Sequence, residues 1–366
     1  MKKKFIISGG GTGGHIFPAI AIAKELQRQF ADAEFLFVGA QGKIEMKKVP
    51  EAGFEIEGLW ISGLQRKLSL DNLAFPFKLI DSLWKARGIL KKFKPDIVIG
   101  VGGFASGPTL WMANMLHIPT LIQEQNSYPG ITNRALAKKV QKICVAYDTL
   151  EKFFPKEKIV MTGNPVRQEV IQIKGKREKA AGFFNLDASQ KTLLFVGGSL
   201  GALAINETLN SQVQKLLDRG LQVIWQTGEY YYEKAQATAR SLANNRLVVR
   251  AFIREMDLAY AMSDLIVSRA GAIAISEISA IGKPAIFVPL PTAAEDHQRL
   301  NAMALVNKNA AEIVLNKDTG EKLIDTVIAL INDETKQAMF SQNILKMAIT
   351  DADQRIVKVI SNIINR

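Results

Sequence analysis

The sequence holds a single cysteine, Cys144, which excludes an internal disulfide and any metal site built from clustered thiolates. It reads as a small core residue. No apolar run approaches the ~20 residues that a membrane-spanning helix needs. After Met1-Lys2-Lys3-Lys4, only Phe5 to Ile7 precedes a run of glycines. That is too short for a signal-peptide core, so a cytosolic location is expected. Acidic residues are sparse in the first part of the chain: residues 1–166 carry 23 Lys+Arg against 14 Asp+Glu, a net of +9. The remainder carries 24 against 21, a net of +3, which completes the overall +12. A basic half points to an anionic partner, whether nucleic acid, an acidic membrane surface or a phosphorylated substrate. With 366 residues, 48% of them hydrophobic, there is enough chain for two soluble domains, each with its own core.

What is present is a βα alternation punctuated by glycine turns. Lys4 to Ser8 predicts a strand running into Gly9-Gly10-Gly11-Thr12-Gly13-Gly14-His15, with an amphipathic helix from Pro18 to Phe30. Gly9, Gly11 and Gly14 satisfy G-x-G-x-x-G, but a dinucleotide site would want an acid where the second strand ends, and Glu34 to Val38 ends in Gly39-Ala40. It is not a Walker loop either, because His15-Ile16 stands where Lys-Ser/Thr should be. What remains is an open, backbone-lined turn with His15 at its rim, a side chain suited to taking a proton near neutral pH. Asp96 to Val101, Thr120 to Gln123, Lys142 to Tyr147 and Lys158 to Met161 read as further parallel strands.

Gly163-Asn164-Pro165-Val166-Arg167 breaks any regular element and reads as a hinge, with a linker running to about Gln190. The alternation restarts at Lys191 to Val196 and Gly197-Gly198-Ser199-Leu200-Gly201-Ala202. Strands are expected at Gln222 to Gln226, Leu247 to Arg250 and Ala285 to Val288, and a loop from Phe252 to Met256. Leu265 to Val267 predicts a strand, Ser268 to Gly271 a tight turn, and Ala272 to Ile281 a helix stopped by Gly282 and Pro284. Free amides and the helix dipole at such a tip suit an anion. Glu277, a turn and a half into the helix, has the wrong charge for a phosphate ligand but can accept two hydrogen bonds from a ribose diol. A loop over Thr292 to Gln298 would set His297 and Gln298 beside that nucleotide. Asp351-Ala352-Asp353 has the Asp-x-Asp form of metal-dependent transferases but lacks a preceding strand, so it reads as surface charge; neither a metal nor a cofactor is expected.

Taken in order, Gly10 to His15, Gly102-Gly103-Phe104, Glu124-Gln125-Asn126, Gly163 to Arg167, Gly197 to Ala202, and Arg269 to Ala272 with Ser276-Glu277 closely resemble one family. It is the MurG family, the undecaprenyl-diphospho-muramoylpentapeptide β-N-acetylglucosaminyltransferases. The resemblance spans essentially the whole chain. It implies an α/β GT-B fold, two Rossmann-like doubly wound domains with an inter-domain cleft. Residues 1–163 would form the acceptor and membrane-side domain, 164–340 the UDP-sugar domain, and 341–366 a helix returning to the first. The implied reaction moves N-acetylglucosamine from UDP to the C4 hydroxyl of lipid I, with inversion, giving lipid II.

By position, the resemblance puts the ribose on Glu277, the uracil on the backbone near Ile253, and the diphosphate on the amides of Ala272 and Ile273 alongside Ser199. Ala274, Ile275 and Ser276 complete that substrate-binding run. His297 and Gln298 would meet the donor sugar, and Thr12, Gly13, Gly14, Asn126 and Arg167 would complete the donor site. His15 is the candidate catalytic base, or else a ligand for the acceptor diphosphate. Departures fall at Phe104, where the family often has tyrosine, at His297 for a frequent glutamine, and at Ala270 and Ala274 for hydroxyl residues.

Between Leu73 and Lys94, Phe75, Phe77, Leu79, Ile80, Leu83 and Trp84 are mixed with Lys78, Lys85 and Arg87. That mixture suits a peripheral patch on the anionic inner leaflet at the cytoplasmic face of the cell membrane. Nucleic acid is not expected as a partner. The alternatives are a related GT-B transferase with another lipid acceptor such as diacylglycerol, a dinucleotide-dependent oxidoreductase, and a non-catalytic nucleotide-sugar-binding subunit.

Overall fold

The computed structural model describes residues 2–63, 74–198 and 200–365. The chain divides into two compact units, Met1–Val166 with Ile349–Arg366, and Arg167–Ala348. The first holds β1 (Lys4–Ser8), β2 (Glu34–Ala40), β3 (Glu55–Leu59), β4 (Ile97–Gly100), β5 (Thr120–Glu124), β6 (Lys142–Val145) and β7 (Ile159–Met161). They form one sheet in the order β3-β2-β1-β4-β5-β6-β7. The second holds β8 (Thr192–Val196), β9 (Gln222–Gln226), β10 (Leu247–Arg250), β11 (Leu265–Ser268), β12 (Ala285–Phe287) and β13 (Glu312–Ile313), in the order β10-β9-β8-β11-β12-β13. Every pairing is parallel.

Parallel strands covered by helices on both faces need apolar side chains at consecutive positions, not alternate ones. Phe5-Ile6-Ile7 and Leu193-Leu194-Phe195 are such runs, and all six side chains are fully buried. Their alternation splits each core in two. Leu193, Phe195 and Trp225 pack on one face of the second sheet, and Leu194, Ile224 and Ile266 on the other. In the first unit the helix Ala352–Ile364 closes one face, laying Ile356, Val357 and Ile360 among Ile22, Ala23 and Leu26 of the helix Gly13–Gln29.

Several elements differ from the sequence-based expectation. The first helix begins at Gly13, five residues before Pro18. The proline forfeits one helical hydrogen bond, but the buried stripe Ile16, Ala19, Ile22, Leu26 carries the helix through it. β3 was not expected. Its Glu55-Ile56-Glu57-Gly58 is charged and glycine-broken because it lies at the sheet edge beside β2. The linker contains the helices Gln168–Ile171 and Arg177–Phe184, the expected loop from Phe252 stops one residue early where the helix Met256–Met262 begins, and His297 and Gln298 open a helix rather than lie in a loop.

Each sheet reverses its winding beside its first strand, between β1 and β4 and between β8 and β11. The crevice outside the carboxyl ends of strands at such a reversal is where open α/β sheets bind ligands. The four glycine-bearing turns singled out in the sequence, after β1, β4, β8 and β11, leave those strand ends.

Candidate functional site

In the second unit, β11 hands over to the helix Ala272–Ile281 through Gly271, an extended residue that caps the helix with no side chain. A Cβ at Gly271 would meet nothing within 4 Å, so the space beside the cap is clear, and amides of a helix's first turn lack partners within the helix. Ala272 is buried, and Ile275 turns into the core, so neither offers a ligand more than its main chain. Ile273 and Ala274 are partly exposed. The Ser276 hydroxyl donates back to the Ala272 carbonyl at 2.9 Å.

Glu277 sits one and a half turns below the tip with only 4% of its side chain exposed. Its carboxylate accepts a forked pair from Arg167, Nε to Oε1 at 2.9 Å and Nη2 to Oε2 at 3.2 Å, and the Tyr260 hydroxyl donates to Oε2 at 3.4 Å. Burial pulls the Arg167 guanidinium down, but the bonds and charge of Glu277 outweigh it and hold the group above its ordinary value. Burial, reinforced by the Glu277 charge, holds the Tyr260 phenol well above the usual range. Arg167, expected to complete the donor site, is thus engaged with the carboxylate expected at the ribose.

Arg269, at the end of β11, donates to the Val288 and Pro289 carbonyls and to Asn316 Oδ1, all neutral acceptors. Burial pushes its guanidinium down to about 10. These bonds tie the turn to the segment after β12. The Ile253 amide, expected to meet uracil, donates to Gln226 Oε1 at 3.0 Å, while Gln226 Nε2 donates to the Gly198 carbonyl. Gln298 accepts from the Leu290 amide at 3.0 Å. Just before it, Glu295 and Asp296 both take left-handed backbone, a strained pair for non-glycine residues. His297, partly exposed, follows. Ser199 lies outside the described residues.

In the first unit, the turn after β1 is built around a buried acid that sequence reasoning missed. Glu45, with no exposed surface, accepts from the Gly11 amide at 2.8 Å and from the Ala40 amide at 3.1 Å. A Cβ on Gly10 would lie 2.2 Å from the Glu45 carboxyl carbon, so only glycine fits above it. The turn after β4 packs backbone to backbone on the same loop, since a Cβ on Gly103 would lie 2.3 Å from the Gly10 carbonyl oxygen. Thr12 precedes the helix in extended conformation, and Gly13 and Gly14 form its first turn. The Thr12 Oγ1 and His15 Nδ1 atoms lie 3.2 Å apart, which orients the half-buried ring against Gly102.

Asn126 is held by Glu124. That carboxylate accepts from the Asn126 amide at 3.0 Å and side chain at 3.3 Å, from the Gly130 amide at 3.2 Å and from Asn133 Nδ2 at 2.8 Å. Burial nevertheless raises its carboxyl above the ordinary value. Phe104 is partly exposed beside Gly63.

The helix Phe75–Phe93 sorts its apolar side chains onto two faces. Phe75, Leu79 and Leu83 pack on the core. Phe77, Ile80 and Trp84, at i, i+3 and i+7, are 70, 55 and 68% exposed. Arg87 lies over the Trp84 ring, Lys78 reaches Ser62 and the Trp60 ring, and Lys85 donates to the Gly58 carbonyl. Among the described residues, no helix is long and apolar enough to cross a membrane. Asp351 pairs with Arg355 one turn along the terminal helix.

Two family descriptions match the chain: the glycosyltransferase family 28 N-terminal domain over residues 5–145 and its C-terminal domain over residues 192–356. A relative from Cytophaga hutchinsonii, described as UDP-N-acetylglucosamine–N-acetylmuramyl-(pentapeptide) pyrophosphoryl-undecaprenol N-acetylglucosamine transferase, is 53% identical over 99% of this chain and 97% of its own. One of the same description from Flavobacterium psychrophilum is 51% identical over 99% of this chain and 98% of its own. The crystal structure of Acinetobacter baumannii MurG superposes with a TM-score of 0.79 at 31% identity, covering 98% of this chain and 99% of that one. A UDP-GlcNAc 2-epimerase from Neisseria meningitidis, 14% identical with a TM-score of 0.67, shares the two-domain fold over 99% of this chain and all of its own.

Proposed function

This chain belongs to the MurG family of glycosyltransferases, with the two-domain GT-B fold, and from that premise we propose that it transfers N-acetylglucosamine from UDP to the C4 hydroxyl of lipid I. The product is lipid II, with inversion at the anomeric carbon. The observation that carries this reading is half-identity over nearly the full length to relatives described as that transferase.

The donor is assigned to the second unit. Glu277 accepts the ribose hydroxyls, and the first-turn amides of Ala272 and Ile273, with the helix dipole behind them, hold the diphosphate. Main-chain groups near Ile253 meet the uracil, with Gln226 as the side chain that fixes that segment. His297 and Gln298 face the donor sugar. Charge builds on the departing diphosphate as the C1–O bond breaks, so fixed amide dipoles at that tip lower the barrier. In the first unit, His15 takes the proton of the acceptor hydroxyl as its oxygen bonds to C1. Thr12 orients its ring, and Gly13, Gly14 and Asn126 are assigned to substrate binding, as parts of the donor site. Release of UDP from UDP-N-acetylglucosamine, assayed with and without a lipid I analogue, tests the function. We expect release to depend on the analogue. Release to diacylglycerol instead, or none with either acceptor, overturns the assignment.

The acceptor is lipid-borne, and the exposed Phe77–Ile80–Trp84 face supports peripheral attachment to the anionic inner leaflet at the cytoplasmic side of the membrane. Combined serine substitution at Phe77, Ile80 and Trp84 is expected to weaken binding to anionic vesicles by about tenfold per side chain. Co-sedimentation that is the same for the triple variant and the parent removes the membrane assignment.

A further inference from the structure

The Arg167–Glu277 pair bears on how the nucleotide site selects its ligand, a role that rests on the assignment of the donor to the second unit. A carboxylate offers about four lone-pair positions. Arg167 takes one on each oxygen and Tyr260 a second on Oε2, so among the described residues a single position is left, on Oε1. A vicinal diol needs two, so it must displace a partner.

The partners differ in freedom to leave. Glu277 and Tyr260 are buried on the helices Ala272–Ile281 and Met256–Met262. Arg167 caps the short helix Gln168–Ile171 with 42% of its side chain exposed, so its guanidinium can swing away while the backbone stays put. Pulling a guanidinium from a buried carboxylate is costly, and neutral hydroxyls alone return little of that cost. A diphosphate changes the balance. Gly271 lies six residues before Glu277, about 9 Å along the helix axis, and the helix Gln168–Ile171 that Arg167 caps packs against that same helix.

We infer that Arg167 is a specificity-determining residue: it clasps Glu277 against a bare nucleoside and yields it to a nucleotide, whose diphosphate takes the guanidinium in exchange. Phosphate and ribose recognition are thereby coupled through one side chain.

Calorimetric titration of the full chain with uridine and with UDP tests this. Arg167→Ala is expected to tighten uridine about tenfold, because Glu277 loses its competitor, and to weaken UDP about tenfold, because the diphosphate loses its cation. Arg167→Lys, which keeps the charge without the fork, should hold UDP near the parent value while still tightening uridine. A tightening cannot arise from a damaged fold, so the uridine arm stays decisive. If Arg167→Ala weakens both ligands by one factor, Arg167 only supports the site and the inference is overturned. If Glu277→Ala leaves UDP affinity unchanged, the donor assignment itself fails, and the inference with it.

Discussion

Replacing His15 by alanine is expected to lower kcat by about 10²–10⁴-fold while leaving the acceptor KM close to that of the parent. The turn's construction is the reason. Nδ1 faces the Thr12 hydroxyl, and the contact with Gly102 limits the ring's rotation. For Nε2 to accept, Nδ1 must carry its hydrogen and donate to the threonine hydroxyl, so Thr12 selects the working tautomer. The buried Glu45 beneath the turn bears on the rival role. It already occupies the Gly11 amide with an internal anion, which makes that amide unavailable to a phosphate. A His15→Ala variant that keeps its turnover and loses only acceptor affinity would make the histidine an anion ligand and end its assignment as base. Steady-state kinetics with both substrates varied tells the two apart.

Glu277→Ala carries the second large effect, a donor KM raised on the order of 10²-fold with the acceptor KM little changed. Hydrogen bonds to a charged group contribute about 1.5–3 kcal/mol each, and a ribose held through two hydroxyls loses both. The variant also releases Arg167, which is partly exposed and can be rehydrated, and leaves the buried Tyr260 hydroxyl without this acceptor, at about 1–3 kcal/mol. Affinity and melting temperature are therefore read together: a donor affinity that falls while the variant remains folded supports the ribose role. An unchanged donor affinity sinks it.

Local chemistry explains which of these features were readable beforehand. The helix Ala272–Ile281 was legible to the residue because Gly271 and Gly282 bracket a run of helix formers, and Gly282 takes the left-handed cap that glycine accepts. β1, β9 and β10 were legible as short, largely apolar runs. By contrast, Glu45 bonds Gly11 across 34 residues, Gln226 bonds Ile253 across 27, and Arg167 meets Glu277 across 110. No periodicity or spacing reports a contact of that kind. The same holds for Tyr260, whose hydroxyl meets Glu277 from a different helix. The one available signal was at Gly10 and Gly39, two glycines at successive strand ends. A Cβ at either would run into Glu45, which is what such a residue reports when a buried group needs its room.

The helix that closes the first unit is made late. Ile349–Arg366 follows Val166 by roughly 180 residues, an interval of about 10–40 s at ordinary elongation rates. Throughout it, the stripe Ile22, Ala23 and Leu26 has been synthesised without the cover that Ile356, Val357 and Ile360 supply. The intervening unit, by contrast, is continuous from Arg167 to Ala348 and can complete its own core first. Maturation therefore runs out of numerical order: the half that comes first from the ribosome is finished last, and until then it is the portion of the nascent polypeptide most in need of a chaperone.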